Sequence, residues 1–123
     1  MEFPILVFVY GTLKKGFGNH RVMERARGEY VGNTTIKHAT MYSLGAFPAI
    51  ALDKRAKTEV HGEVYRIADA EGLKPLDWLE GYPRFYNRSE VESPLGKVWV
   101  YHIDKSTLDE SNRGIVEDGV WKR

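Results

Sequence analysis

The sequence predicts an α+β fold, a small mixed β-barrel or curved sheet with flanking short helices. Three observations carry this. Segments rich in β-branched and aromatic residues recur along the chain. Only two stretches favour helix, and they do not alternate with strands as βαβ units do. With 123 residues, 42% of them hydrophobic, the chain is long enough to bury a core as one domain. We read residues 1–123 as that domain, with 104–123 as a polar C-terminal tail.

The elements follow in order. Ile5-Leu6-Val7-Phe8-Val9-Tyr10 has no polar alternation, as expected of a strand buried on both faces. Gly11 ends it. Residues 11–18 hold Gly11, Gly16 and Gly18 and read as a loop with unusual backbone angles. Asn19 is placed to cap a short helix through about Ala26, with Val22, Met23 and Ala26 inward. Tyr30–Ile36 and Ala39–Ser43 favour strand, with a bulge or turn at Gly32-Asn33. Gly45-Ala46-Phe47-Pro48 is a loop before a short apolar strand to Leu52, and Thr58–Ile67 is a further clear strand. Asp69 opens a helical stretch whose main turn is expected over 74–80, which puts Pro75 in the first turn and Gly81 at the end. Strands over 85–91 and 98–103 follow, and the last twenty residues read as a wrapped or partly mobile tail.

Composition narrows the function. Eighteen Lys and Arg face seventeen Asp and Glu, a net charge of +1, so nucleic acid and membrane surfaces gain no bulk attraction. The absence of cysteine removes disulfides, thiolate zinc sites, Cys-ligated clusters and a Cys nucleophile. The six-residue apolar run at 5–10 falls short of the roughly 20 residues of a membrane span, and no basic leader precedes it. A cytoplasmic protein is expected. His20, His38, His61 and His102 lack metal-motif spacing, and no serine sits in a nucleophile elbow, so neither a metal nor a serine hydrolase is expected.

Three segments carry candidate chemistry. Tyr10-Gly11-Thr12-Leu13 lies at the carboxyl end of a buried strand, where successive N–H groups can form an anion nest. Its plain alternative is a turn that only redirects the chain. In Leu76-Asp77-Trp78-Leu79-Glu80-Gly81, Glu80 falls in the last helical turn. There the negative end of the helix dipole and Asp77 both oppose its ionisation, as burial would too. A carboxyl raised this way suits general acid–base work near neutral pH. The alternative is a solvated helix face. Tyr86 and Arg88 share one face of the following strand, where they could bind a carboxylate or hold Glu80 in place, or simply face outward.

In combination these segments resemble the γ-glutamylcyclotransferase-like superfamily. Tyr10-Gly11-Thr12-Leu13 with Gly16 and Asn19 resembles its opening signature, and Gly45-Ala46-Phe47-Pro48-Ala49 its central loop. Gly62-Glu63-Val64-Tyr65 resembles its middle strand, and Leu76 to Pro83 with Tyr86 and Arg88 its acidic helix end and next strand. Trp99-Val100-Tyr101 resembles a late strand. The resemblance spans about residues 5–103 and looks closest to the γ-glutamylamine cyclotransferase branch. It implies a small mixed barrel with a side cavity and a cofactor-independent reaction. A γ-glutamyl amine or amino acid would yield 5-oxoproline and free amine. It also implies substrate binding by Tyr10, Gly11, Thr12 and Leu13, with Tyr86 and Arg88 matching the motif, and catalysis by Glu80 as acid–base.

Intramolecular attack by the substrate's own α-amine needs no enzyme nucleophile, in keeping with the missing cysteine. Two rival readings stand beside this one. One is a non-catalytic binding module for a γ-glutamyl or amino-acid-like ligand. The other is an interaction domain using Phe17, Tyr82 or Trp121. The expected partner is a small molecule, and monomer and homodimer are both left open.

Overall fold

The computed structural model describes residues 1–110 and 114–122. Strands β1 (Ile5–Val9), β2 (Glu29–Lys37), β3 (Ala39–Ser43), β4 (Pro48–Leu52), β5 (Glu59–Ile67), β6 (Asn87–Ser93), β7 (Gly96–His102) and β8 (Gly114–Val116) combine with three helices. These are α1 (His20–Arg25), α2 (Ala70–Glu80) and α3 (Lys105–Glu110). The α+β organisation is as read from the sequence. The strands do not close into one barrel: they form a five-stranded sheet, β2-β5-β1-β7-β6, and a three-stranded sheet, β4-β3-β8.

β1 is the central strand, antiparallel to β5 and parallel to β7. That position explains its unbroken apolar run, because both faces are covered. Val7 and Val9 point into one cluster with Met23, Leu73, Leu76 and Ile103. Phe8 and Tyr10 point into the other with Ile36, Met41, Ile50, Val60 and Val100. Gly62 of β5 makes room for this packing. A Cβ there would lie 2.3 Å from the Val9 carbonyl and 2.7 Å from the Phe8 ring.

Three local readings change in three dimensions. Asn19 precedes α1 but its side chain makes no cap hydrogen bond. Its amide turns back to the loop before it instead. α2 is longer than the expected turn. Asp69 caps it by accepting from the Gly72 N–H at 3.0 Å, so Pro75 lies inside the helix. Burial of Leu73 and Leu76 holds the helix across a residue that donates no backbone bond. Gly81 ends it in the left-handed region at φ 65°. The strand expected from Phe85 begins at Asn87, because the Phe85 and Tyr86 N–H groups bond to Gly81 and Glu80 carbonyls across the turn.

Residues 104–122 are integrated wherever they are described. α3 buries Leu108, β8 pairs with β3 from Met41 to Ser43, and Trp121 packs on the second cluster. The Gly119 carbonyl accepts from His61 N–H at 2.9 Å.

Candidate active site

A pocket of about 380 Å³ opens where the end of β1, the start of β4, the end of α2 and the turn before β6 converge. That volume is within the range of small-molecule sites. Tyr10, Gly11, Thr12, Leu13, Glu80 and Tyr86 all line it.

The loop after β1 is held on several sides. The Lys14 N–H closes a turn onto the Gly11 carbonyl at 3.1 Å, and the Asn19 N–H bonds to the Thr12 carbonyl at 3.0 Å. Asn19 Nδ2 donates to Thr12 Oγ1 at 2.9 Å, and His20 Nδ1 meets the Leu13 carbonyl at 2.9 Å. The Lys15 N–H donates to Glu63 on β5, and Lys14 Nζ to the Trp121 carbonyl at 3.0 Å. Among the described residues, no turn or loop carbonyl takes the Thr12 or Leu13 N–H. Gly11 is a packing requirement as well, since a Cβ there would lie 2.7 Å from Pro48 Cγ.

Glu80 enters from the last turn of α2. Burial pushes its carboxyl up to about 7. Around it stand three buried phenols. Tyr10 donates to the Tyr101 carbonyl, Tyr86 to the Pro48 carbonyl and Tyr101 to Asp77 Oδ1, each at 2.7 Å. Burial is the first cause that raises all three phenols, and the Glu80 charge adds to it. Each phenol proton is therefore retained and committed to a fixed acceptor. Among the described lining residues, Glu80 alone is poised to exchange a proton near neutral pH.

Asp77 behaves differently from the sequence expectation. Its charge is answered by Arg88, with Nε–Oδ1 at 3.0 Å and Nη2–Oδ2 at 3.2 Å, and by the Tyr101 hydroxyl. Desolvation, not Asp77, raises Glu80. Arg88 itself does not line the pocket. Its guanidinium sits 4.0 Å over the Tyr82 ring and 5.7 Å from that of Trp99.

Sequence reasoning did not single out Asn19, Phe47, Pro48, Phe85 or Tyr101 as pocket residues. Phe47 and Pro48 stood in a noted loop motif. Tyr101 lies 91 residues from Tyr10, and no local pattern links them.

The fold and the pocket together bring the end of β1, its following loop and the Glu80 carboxyl to one cavity of small-molecule size. The family model for gamma-glutamyl cyclotransferase, AIG2-like proteins matches residues 7–123, and the chain belongs to that family. A Vibrio cholerae protein is 35% identical over 118 residues, covering 94% of each chain. Gamma-glutamylaminecyclotransferase B of Danio rerio is 33% identical over 98 residues, covering 75% of this chain and 51% of that protein. The solution structure of protein ytfP from Escherichia coli superposes with a TM-score of 0.71 at 29% identity, covering 95% of this chain and 96% of that one.

Proposed function

We propose that the protein releases 5-oxoproline from γ-glutamyl amines, with Glu80 as the general acid–base. The observation that carries this is the half-buried Glu80 carboxyl, raised to about 7 by desolvation, sharing one pocket with the loop amides of Thr12 and Leu13. Membership in the family supports it, and the resemblance to a γ-glutamylamine cyclotransferase supports an amine as leaving group.

The substrate's α-ammonium gives a proton to ionised Glu80. The freed amine attacks the γ-carbonyl, closing a five-membered ring. A new C–N bond forms as the carbonyl electrons move to oxygen. Collapse of this intermediate breaks the old C–N bond as the leaving amine takes the proton from Glu80, and the ring nitrogen gives its second proton to the Glu80 carboxylate, which passes it to the released amine as an ammonium. The product pair is isomeric with the substrate, so no water or cofactor enters the balance. Tethering supplies the high effective molarity, and N–H donors of the Gly11–Leu13 turn stabilise the oxyanion or hold the α-carboxylate. Tyr86, fixed on the Pro48 carbonyl, shapes the wall. Arg88 acts through Asp77 to position the helix end that carries Glu80.

The test is 5-oxoproline release, read by mass spectrometry across γ-glutamyl amines, γ-glutamyl amino acids and glutathione. Release that falls about 10²–10⁴-fold in Glu80→Gln supports the reading. Tight ligand binding without release would establish the binding module instead.

A further inference from the structure

The mouth of the pocket has a chemistry of its own. Ala46 and Phe47 line one side of it, Leu79 and Phe85 the other. Phe47 and Phe85 keep 37% and 51% of their surface exposed, yet their rings face each other edge-on at 6.2 Å. Neither ring is on a loose segment. The Leu44 N–H bonds to the Phe47 carbonyl at 2.9 Å, and the Phe85 N–H to the Gly81 carbonyl at 2.8 Å. Phe85 also packs edge-on against Tyr86 at 4.9 Å, and a Cβ at Gly81 would lie 3.1 Å from that of Phe85.

The charge of the lining is equally specific. Among the described residues that line the pocket there is no lysine, arginine or histidine, and Glu80 is the sole carboxyl. The loop amides can answer one carboxylate, that of the γ-glutamyl group. A second carboxylate, on an amino-acid leaving group, would find no lysine, arginine or histidine in the described lining and would lose part of its hydration against Phe47 and Phe85 without a paired charge. A second ammonium, on a diamine, would find only Glu80, which the proton transfer requires.

We propose that Phe47 and Phe85 form a subsite for the leaving group, and that it selects amines bearing an uncharged, apolar and preferably aromatic substituent. The proposal rests on the cyclotransferase reading above. It adds the substrate class at the leaving-group end. The exposed ring faces gain by covering apolar surface and by ring stacking, which a methyl group or a charged chain does not supply.

The experiment compares kcat/KM for 5-oxoproline release from four compounds: the γ-glutamyl amides of benzylamine, methylamine, glycine and 1,4-diaminobutane. The benzylamide is expected to exceed the methylamide by about tenfold or more, since a single methylene in an apolar pocket is worth 10-fold to 200-fold. It should exceed the glycine and diaminobutane amides by at least as much. In Phe85→Ala the benzylamide-to-methylamide ratio should fall about tenfold, and Phe47→Ala supplies a second reading of the same ratio. Equal or better use of the glycine or diaminobutane amide, or a ratio unmoved in both variants, overturns the subsite and leaves the cyclotransferase reading standing. No release from any of the four overturns both.

Discussion

Arg88 meets Asp77 through two parallel contacts, Nε–Oδ1 at 3.0 Å and Nη2–Oδ2 at 3.2 Å, three residues before Glu80 on α2. The pair is mostly buried, with 16% and 24% of the two side chains exposed. It joins β6 to the last turns of the helix and neutralises the carboxylate nearest in sequence to Glu80. Tyr101 Oη completes the arrangement at 2.7 Å from Asp77 Oδ1.

Removing the guanidinium tests that relationship. Arg88→Met should lower stability by about 2 kcal/mol, between the values for exposed and fully buried pairs. It also leaves Asp77 uncompensated. A nearby negative charge favours the protonated form of Glu80, so the acidic limb of the pH–rate profile should move upward. Arg88→Met/Asp77→Asn should bring the limb back toward that of the unmodified protein, as a purely structural loss would not.

The pH–rate profile of the unmodified protein carries a separate expectation. Glu80 must be ionised to take the α-ammonium proton, and its carboxyl titrates at about 7. The rate of 5-oxoproline release should therefore climb about tenfold per pH unit below 7 and level off above it. A limb near 4.5, the ordinary value for glutamate, would show that desolvation does not raise the Glu80 carboxyl.

Stability should show the opposite slope. Glu80 titrates at about 7 in the folded chain and near 4.5 when unfolded. Between those values the folded state binds the proton more tightly, so stability falls as pH rises. Glu80→Gln has no such loss. Urea unfolding at pH 8 should find the variant more stable, by at most about 3 kcal/mol, with the advantage gone below pH 4.

Gly119 tests the C-terminal segment. Its φ is +66°, and a Cβ would lie 2.1 Å from the Glu59 carbonyl. Gly119→Ala should cost about 2 kcal/mol or more. The Trp121 carbonyl two residues on holds Lys14, next to the pocket loop. KM should therefore rise in the variant while the pH limb stays in place.

Much of this molecule is legible in one dimension. β1 shows in its unbroken apolar run, and the end of α2 in Gly81. The loop over 11–18 shows in its glycines, and Glu80 in its place at a helix end. Other features depart from their local reading because a tertiary partner outcompetes a local one. Asn19 has the composition of a helix cap, yet the Thr12 hydroxyl takes its amide. Asp77 reads as pressing on Glu80, yet Arg88 and Tyr101 take its charge. The residues after Asp104 read as a tail, since neither β8 pairing with β3 nor Gly119 seating against Glu59 leaves a periodic signal.

The class of elements, the absence of thiol chemistry and the carboxyl at the helix end can all be read along the chain. Those depend on composition and on short-range backbone preferences, which a linear chain already expresses. Tertiary packing settles that desolvation and not Asp77 raises Glu80, that Arg88 pairs with Asp77, and that Phe47 and Phe85 meet at one mouth. Each of these depends on distances between separate elements, from 11 residues apart for Arg88 and Asp77 upward. Such distances, and the water they exclude, exist only once the sheets have paired and the core has closed.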